Sequence, residues 1–384
     1  MILKKLFRRK VIGALLITGC VAFGIWYYQL SNRHKAIVKT KLLHTFRIID
    51  HDWEIDETES QLILESPDLL VDNIYHSMDG PQAVLDLNIN QGGTKVQWIT
   101  GFKAEVIRDG TQTHDNDFLC HTNIDYYDAV HYKNLNFPKR INTQYPRLGT
   151  LSNGINELNF PPGFGFPVAV DDVFIIASRT LNLNIKNAFF KVKHHITLKT
   201  ENGDVPLKPL QPKGLMLMLP YDLDNPYRSK KKDPNLCSPI DLKNHSGPGE
   251  DGVPLSAHWR LPEGKTHYEF DVTYQLYLQE DTTIHAMAAH LHPGAETFIL
   301  FDSTTNEAVF TFNCENYSDK LGLKYVPNYS SAEGILLKAD HKYKLILETN
   351  NASTGFRDMM AVLFLYLYDK EMEEHLKKLR TADL

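Results

Sequence analysis

Residues 359–368 read MMAVLFLYLY, a run of ten residues that is apolar at every position. A strand with one solvated face alternates apolar and polar side chains, whereas a strand covered on both faces is apolar throughout. The run therefore predicts a central β-strand, Met359–Tyr368, on which the rest of a sheet is built.

Shorter apolar or alternating runs, separated by turn residues, precede this strand from about residue 61, a pattern typical of antiparallel β-sandwiches. In the first half they predict strands at Gln61–Leu64, Ala83–Leu87, Val96–Val106, Val173–Ala177, Phe189–Leu198 and Gly214–Leu219. In the second half they predict strands at His267–Leu278, Thr283–Ala288, Thr297–Asp302, Ala308–Phe312, Gly334–Leu337 and Lys342–Thr349.

The expected fold class is all-β, with two tandem antiparallel, jelly-roll-like β-sandwich domains after an N-terminal transmembrane helix. The chain of 384 residues has room for two domains. Its predicted divisions are a basic tip and membrane anchor (1–33), an acidic solvated spacer (34–60), an N-terminal sandwich (61–225), a linker loop rich in Pro, Gly and Lys (226–256), a C-terminal sandwich (257–368) and a C-terminal helix (369–384).

The N-terminus carries the clearest targeting signal. Five basic residues between Lys4 and Lys10 precede an apolar run from Val11 to about Leu30, and roughly 20 apolar residues suffice to span a bilayer. Basic residues favour the cytoplasmic side, so we expect a single-pass protein with an extracytoplasmic body, in a periplasm, at a cell surface or in a secretory lumen. A cleaved signal peptide and a lipoprotein box ending at Cys20 are the alternatives.

The composition excludes some function classes. A net charge of -6 disfavours nucleic-acid binding, and 42% hydrophobic residues exclude global disorder. The four cysteines form no CxxC pair, which disfavours a zinc ribbon. Cys120, Cys237 and Cys314 can supply one disulfide and one free thiol, and the sequence leaves open which two pair.

One short motif points to a metal. His290 and His292 are separated by one residue, and side chains two apart lie on the same face of a strand. A thioether from a second strand would complete a His2Met ligand set, which suits copper and especially Cu(I). Met360 in the apolar run is the candidate, because Met359 faces the opposite way. Each histidine on its own is more often structural, and buried methionine more often serves packing.

The order of motifs strengthens this interpretation. HAMAAHLHPG, ADHKYKLILETNN and FRDMMAVLFLYLY follow one another between about 262 and 368. They resemble the copper type II, ascorbate-dependent monooxygenases (the class of peptidylglycine α-hydroxylating and dopamine β-monooxygenases) and the related plant stress-up-regulated nodulin family. The resemblance implies copper bound by His290, His292 and Met360, with Met360 placed two residues after Asp358, and ascorbate as the reductant of an enzyme.

The same resemblance implies a second copper, bound by three histidines of the first domain, and at this point the chain departs from the family. The expected His-His pair reads Cys120-His121, and the strand near 173–180 lacks a histidine. Cys120 and His121 remain weak second-site candidates, completed by His131 or His194; the alternative is a lost site.

Two functions therefore stay open. One is a membrane-anchored copper-dependent monooxygenase acting on an unknown small molecule or peptide, with no catalytic residue assigned. The other is a non-catalytic copper-binding or protein-interaction module on the same scaffold. No GxSxG, P-loop or HExxH motif is present, so the common hydrolase, nucleotide-binding and zincin signatures are missing.

Overall fold

A computed structural model of the protein describes residues 2–89, 96–109, 116–220, 246–248 and 254–381. The helices are α1 (Ile2–Gln29), α2 (Asn32–Thr45), α3 (Asp128–Asn134), α4 (Thr273–Leu276) and α5 (Lys370–Thr381), with 3-10 turns at Asn116–Phe118 and Pro138–Arg140. The strands of the first half are β1 (Glu54–Glu57), β2 (Gln61–Glu65), β3 (Leu69–Val71), β4 (Gln82–Asn88), β5 (Val96–Arg108), β6 (Leu119–Tyr126), β7 (Arg147–Ser152), β8 (Glu157–Asn159), β9 (Phe164–Ala169), β10 (Val173–Thr180), β11 (Phe190–Glu201), β12 (Lys208–Met216) and β13 (Leu219–Pro220). The strands of the second half are β14 (Ser246–Pro248), β15 (Pro254–Ser256), β16 (Trp259–Leu261), β17 (Gly264–Asp271), β18 (Thr282–Leu291), β19 (Ala295–Asp302), β20 (Glu307–Asn313), β21 (Glu315–Asn316), β22 (Leu323–Tyr325), β23 (Tyr329–Leu337), β24 (Tyr343–Asn351), β25 (Arg357–Met359) and β26 (Ala361–Tyr368).

A single large sheet runs through both halves of the chain in the order β1-β2-β11-β5-β9-β12-β26-β18-β23. The halves meet where β12 pairs antiparallel with β26, from Leu210 opposite Tyr368 to Met216 opposite Val362. Strand β26 lies between β12 and β18 and is buried along almost its whole length. This is the central position that its apolar composition predicts, and it explains why β26 tolerates no polar side chain on either face.

Two four-stranded antiparallel sheets accompany the large one, in the orders β4-β10-β6-β7 and β17-β24-β19-β20. The first of them packs on the middle of the large sheet through β7: the Tyr366 hydroxyl of β26 donates a hydrogen bond of 2.7 Å to the Leu148 carbonyl. Buried side chains of both halves form one continuous hydrophobic cluster. The protein is thus mostly β, with antiparallel pairing throughout these three sheets except between β9 and β12, which are parallel.

The central strand is shorter than its apolar run. The chain pairs as β25 with β16 up to Met359, breaks at Met360 and resumes as β26 at Ala361. The expected strand His267–Leu278 is also wrong at its end, because Asp271 accepts a hydrogen bond from the Thr273 amide and starts the helical turn α4. Strand β12 begins at Lys208, earlier than Gly214–Leu219, because its two prolines concealed the strand pattern.

The first part of the segment 34–60, which was expected to be a solvated spacer, forms helix α2, whereas residues 54–60 are exposed. Ser31 caps α2 by accepting a hydrogen bond from the His34 amide, and Arg33, Ala36 and Thr40 are buried. The Lys39 ammonium contacts the Asp72 carboxylate at 2.5 Å. The helix that follows the apolar segment is therefore packed on the body. The packing of α2 could not be recognised from the sequence, because the buried side of the helix contains an arginine and a threonine.

The apolar N-terminal segment forms helix α1. Its stretch Val11–Gln29 has 19 residues, a mean hydropathy of 1.8 and no residue buried against the rest of the protein. By length and composition this helix can cross a membrane, as either a signal anchor or a single span. Many of its own large apolar side chains, such as those of Leu15, Leu16 and Ile17, are exposed.

Candidate metal centre

The site forms where three strands end beside one another. His290 lies opposite Val362 and Leu291 opposite Ala361, so the next position along the antiparallel register sets His292 level with Met360. Strand β16 pairs with β25, with Trp259 opposite Met359. His258, the residue before Trp259, therefore lies level with Met360. The strand ends thus place the candidate ligands in a row.

These side chains line one small cavity of about 80 Å³. It is lined by His290, His292 and Met360, together with His121 and His258. All five side chains are nearly inaccessible to solvent. The structure therefore brings the three residues of the expected His2Met set to one place, and it adds two histidines.

The spacing of the rings provides a test of fit. Two imidazoles bound to one ion through nitrogens roughly 2.0–2.1 Å away have ring centres about 5–6 Å apart. The His290 and His292 ring centres are 5.4 Å apart, the His121 and His290 centres 6.3 Å, and the His258 and His292 centres 6.2 Å. The ring-centre distance of the HxH pair lies within the range for a shared ion, and the distances from the other two rings lie slightly outside it.

The cavity side chains do not form a closed set of ligands as they stand. Among the described residues, only Asp50, His51 and Asp52 bring three His, Cys, Asp or Glu ligand atoms within 4.8 Å of one another, and they lie at the surface. No three of the cavity histidines come that close together. A metal in the cavity would thus require movement of the imidazoles and the thioether toward one another.

Asp358 lies beside two of the cavity histidines, His292 and His258. Its carboxylate lies 2.8 Å from His292 Nδ1 and 3.8 Å from His258 Nδ1. Burial raises the pKa of the Asp358 carboxyl, but the His292 and His258 imidazoles outweigh burial and hold that pKa below its usual range. A carboxylate on one nitrogen of a histidine fixes the ring and leaves the other nitrogen for a metal. That other nitrogen, His292 Nε2, lies 3.4 Å from the Ser77 hydroxyl.

Burial keeps the His290 and His121 imidazoles neutral. It lowers the pKa of His290 and of His121 well below the ordinary value, and repulsion from neighbouring histidines and arginines lowers both further. His290 Nδ1 is buried and has no hydrogen-bond partner among the described residues. A buried polar atom without a partner is costly, and the neutral imidazole is the form that binds a metal, so this atom is a credible ligand.

Within the described part of the chain, the weak second-site candidates Cys120 and His121 do not form a separate copper site. Cys120 Sγ lies 3.3 Å from His121 Nδ1, but the two histidines that were candidates to complete the site have other partners. His131 Nδ1 contacts Asp172 at 2.6 Å. His194 Nδ1 contacts the Ser178 hydroxyl at 2.5 Å, and its Nε2 contacts the Thr180 hydroxyl at 2.9 Å. His121 instead lies at the His290 cavity.

The cysteines of the described chain are unpaired. Cys120 and Cys314 are free thiols, and burial raises the pKa of both, that of Cys314 to about 12. Cys20 in α1 is also free. Cys237 lies outside the described residues. Cys120 and Cys314, two of the three candidates for the expected disulfide, are therefore not bonded to each other.

A larger cavity of about 250 Å³ adjoins the first one. Both cavities share Ser77, His290 and His292, so the end of β18 forms a wall between them. The larger cavity is further lined by His76, Cys120, Ser152, Asn153, Leu181, Leu183, Leu291, Pro293, Leu321, Ser353, Thr354, Phe356, Arg357 and Asp358. Its mixture of apolar and hydrogen-bonding side chains suits a small organic molecule in contact with the two histidines.

Two members of the centre carry no signal that sequence reasoning could have used. His258 precedes a three-residue strand, and nothing in the local pattern distinguishes it from other histidines. Asp358 served as a marker of the Asp-x-Met motif, without a role of its own. Both are recognised only when the β16–β25 and β18–β26 registers are known.

Comparison with known proteins gives only distant structural likenesses. No family model matches the sequence, and no curated protein matches it. Among solved structures, PNGase F, a glycosylasparaginase from Flavobacterium meningosepticum, is 10% identical with a TM-score of 0.36, over 80% of this chain and 96% of the other. The STIV MCP is 11% identical with a TM-score of 0.28, over 78% of this chain and 95% of that protein. Likenesses this distant carry no argument about function.

Proposed function

We propose that this protein is a membrane-anchored copper protein with one copper centre, bound by His290, His292 and Met360. The observation that carries the proposal is that these three side chains, from two separate strand ends, line one buried cavity with His290 Nδ1 lacking any partner among the described residues. Two imidazoles and a thioether are a soft ligand set that suits Cu(I). When bound, copper would supply one-electron redox chemistry.

The residues of the chain have separate roles in this proposal. His290 and His292 present imidazole nitrogens at and just after the end of β18, and Met360 presents its thioether from the break between β25 and β26. Asp358 orients His292 through the 2.8 Å contact to Nδ1. Burial excludes bulk water from the ligands, which strengthens the polar interactions within the cavity.

The surrounding architecture is proposed together with the site. The large sheet and the two four-stranded sheets are interpreted as two tandem β-sandwich domains, of which the second carries the copper ligands. The basic N-terminal tip places the N-terminus in the cytoplasm and the body on the extracytoplasmic side. The apolar helix α1 is the expected membrane partner.

A second candidate function is a copper-dependent monooxygenase with ascorbate as reductant. The 250 Å³ cavity that shares His290 and His292 favours it, since a small substrate there would contact the copper ligands. The missing second three-histidine site favours copper holding without turnover, because the family's electron-delivering copper has no separate ligand set among the described residues.

The test is a copper titration of the full chain in detergent. We expect one copper per chain in the wild type, loss of that copper in His290→Ala, and retention in His267→Ala, which removes a half-exposed histidine elsewhere. A wild-type chain without stoichiometric copper refutes the proposal. Two coppers and ascorbate-driven oxygen uptake would support the enzyme; one copper and no uptake would support copper holding.

A further inference from the structure

His121 comes from a different part of the fold than the three proposed ligands. It lies on β6, in the sheet β4-β10-β6-β7 of the first half, and pairs with Arg179 on one side and Ser152 on the other. Nevertheless its ring faces His290, at a centre-to-centre distance of 6.3 Å and an interplanar angle of 79°. The side chain is only 9% exposed.

Among the described residues, His121 has no separate set of metal ligands. His131 and His194 are committed to Asp172, Ser178 and Thr180 by contacts of 2.5–2.9 Å. The imidazoles within reach of His121 are those of the 80 Å³ cavity, which it lines together with His290, His292 and Met360.

The distances determine how His121 can join the centre. Two imidazoles on one ion have ring centres about 5–6 Å apart, and the His121–His290 separation exceeds this range by only a few tenths of an ångström. A side-chain movement of His121 or His290 that shortens this separation is needed for both to bind one ion. Soft and borderline metal ions commonly take four ligands of the imidazole and sulfur type, so a set of two histidines and a methionine has one position to fill.

We infer that His121 is a fourth protein ligand of the copper centre, so that one ion links the first half of the chain to the second. The inference rests on the proposed copper function. It changes the interpretation of the Cys120-His121 pair: the histidine is not the remnant of a second copper site but part of the first one. The metal would then act as a cross-link between the β4-β10-β6-β7 sheet and the end of β18.

The experiment compares wild type, His121→Ala and Asn123→Ala, each as full chain in detergent, with copper alone as the probe. Asn123 is the matched control because it lies two residues along the same strand and lines the same cavity. We expect His121→Ala to raise the Kd for copper at least tenfold and to lose most of the copper-induced rise in Tm. Asn123→Ala should change the Kd less than twofold.

A second measurement does not depend on a variant that folds. Copper-edge X-ray absorption of the loaded wild type counts its imidazole ligands, and we expect three rather than two. If the wild type binds copper with two imidazoles, or if His121→Ala keeps the wild-type Kd, the inference is wrong and the proposed function stands. If the wild type binds no copper, the proposed function itself fails.

Discussion

Replacing Asp358 isolates the contribution of a residue that touches the ligands without being one. Its carboxylate contacts His292 Nδ1 at 2.8 Å and is only 7% exposed on its side chain. Partners of this kind typically contribute about 10–100-fold to metal affinity, or roughly 1.4–2.7 kcal/mol. Asp358→Asn keeps one oxygen that can accept from Nδ1–H, so we expect a loss near tenfold. Asp358→Ala removes the acceptor, and we expect a loss near 100-fold.

The assay is competition between the protein and a chromophoric copper chelator, with circular dichroism as a check of folding. Asp172→Asn is the matched control, because it weakens an equally buried carboxylate–imidazole contact, 2.6 Å from His131, away from both cavities. We expect the control to lower stability and to leave the copper Kd within twofold. Wild-type affinity in Asp358→Ala, or an equal loss in Asp172→Asn, would refute the reasoning.

Three further predictions concern pH, packing and the anchor. Burial raises the pKa of Asp79 to about 7, so the folded state holds a proton that the unfolded state releases near pH 4, and the free energy of unfolding falls as pH rises between these values. Asp79→Asn should therefore raise the free energy of unfolding at pH 8 by at most about 4 kcal/mol and leave it unchanged at pH 4. Urea denaturation at the two pH values measures this, and equal effects at both would contradict the prediction. Gly149→Ala should lower the stability of the protein by roughly 1–3 kcal/mol, measured in a thermal melt, because the added Cβ would lie 2.5 Å from Phe102 Cζ. The control Gly214→Ala should be nearly neutral, because the atom nearest to its added Cβ is 3.6 Å away. Removal of residues 2–29 should move the protein from the carbonate-resistant membrane fraction to the soluble fraction, and unchanged sedimentation would argue against the anchor.

Local patterns account for what could be predicted. Strands such as β2, β4 and β5 are recognisable because alternation of apolar and polar residues depends on neighbours in sequence alone. The convergence of His290 and His292 is predictable for the same reason, since it needs only the period of a strand. The break at Met360 is not predictable, because it depends on β25 pairing with β16 across the site.

The remaining parts of the site depend on contacts between distant segments. His121 and His290 are separated by 169 positions in the chain, and no local pattern relates the two. Helix α2 was missed because its packing uses an ion pair from Lys39 to Asp72 and a buried Arg33 rather than an apolar stripe. Polar residues buried by specific partners look like solvated residues in the sequence.

Copper-edge X-ray absorption of the full chain loaded with one equivalent of Cu(I) tests the central claim most directly, because it reports the Met360 thioether itself. We predict a sulfur scatterer in the wild type that disappears in Met360→Leu and persists in Met359→Leu, where the substituted residue is fully buried and lies outside the cavity. A sulfur signal that survives Met360→Leu, or a wild type that takes up no stoichiometric copper, would contradict the account.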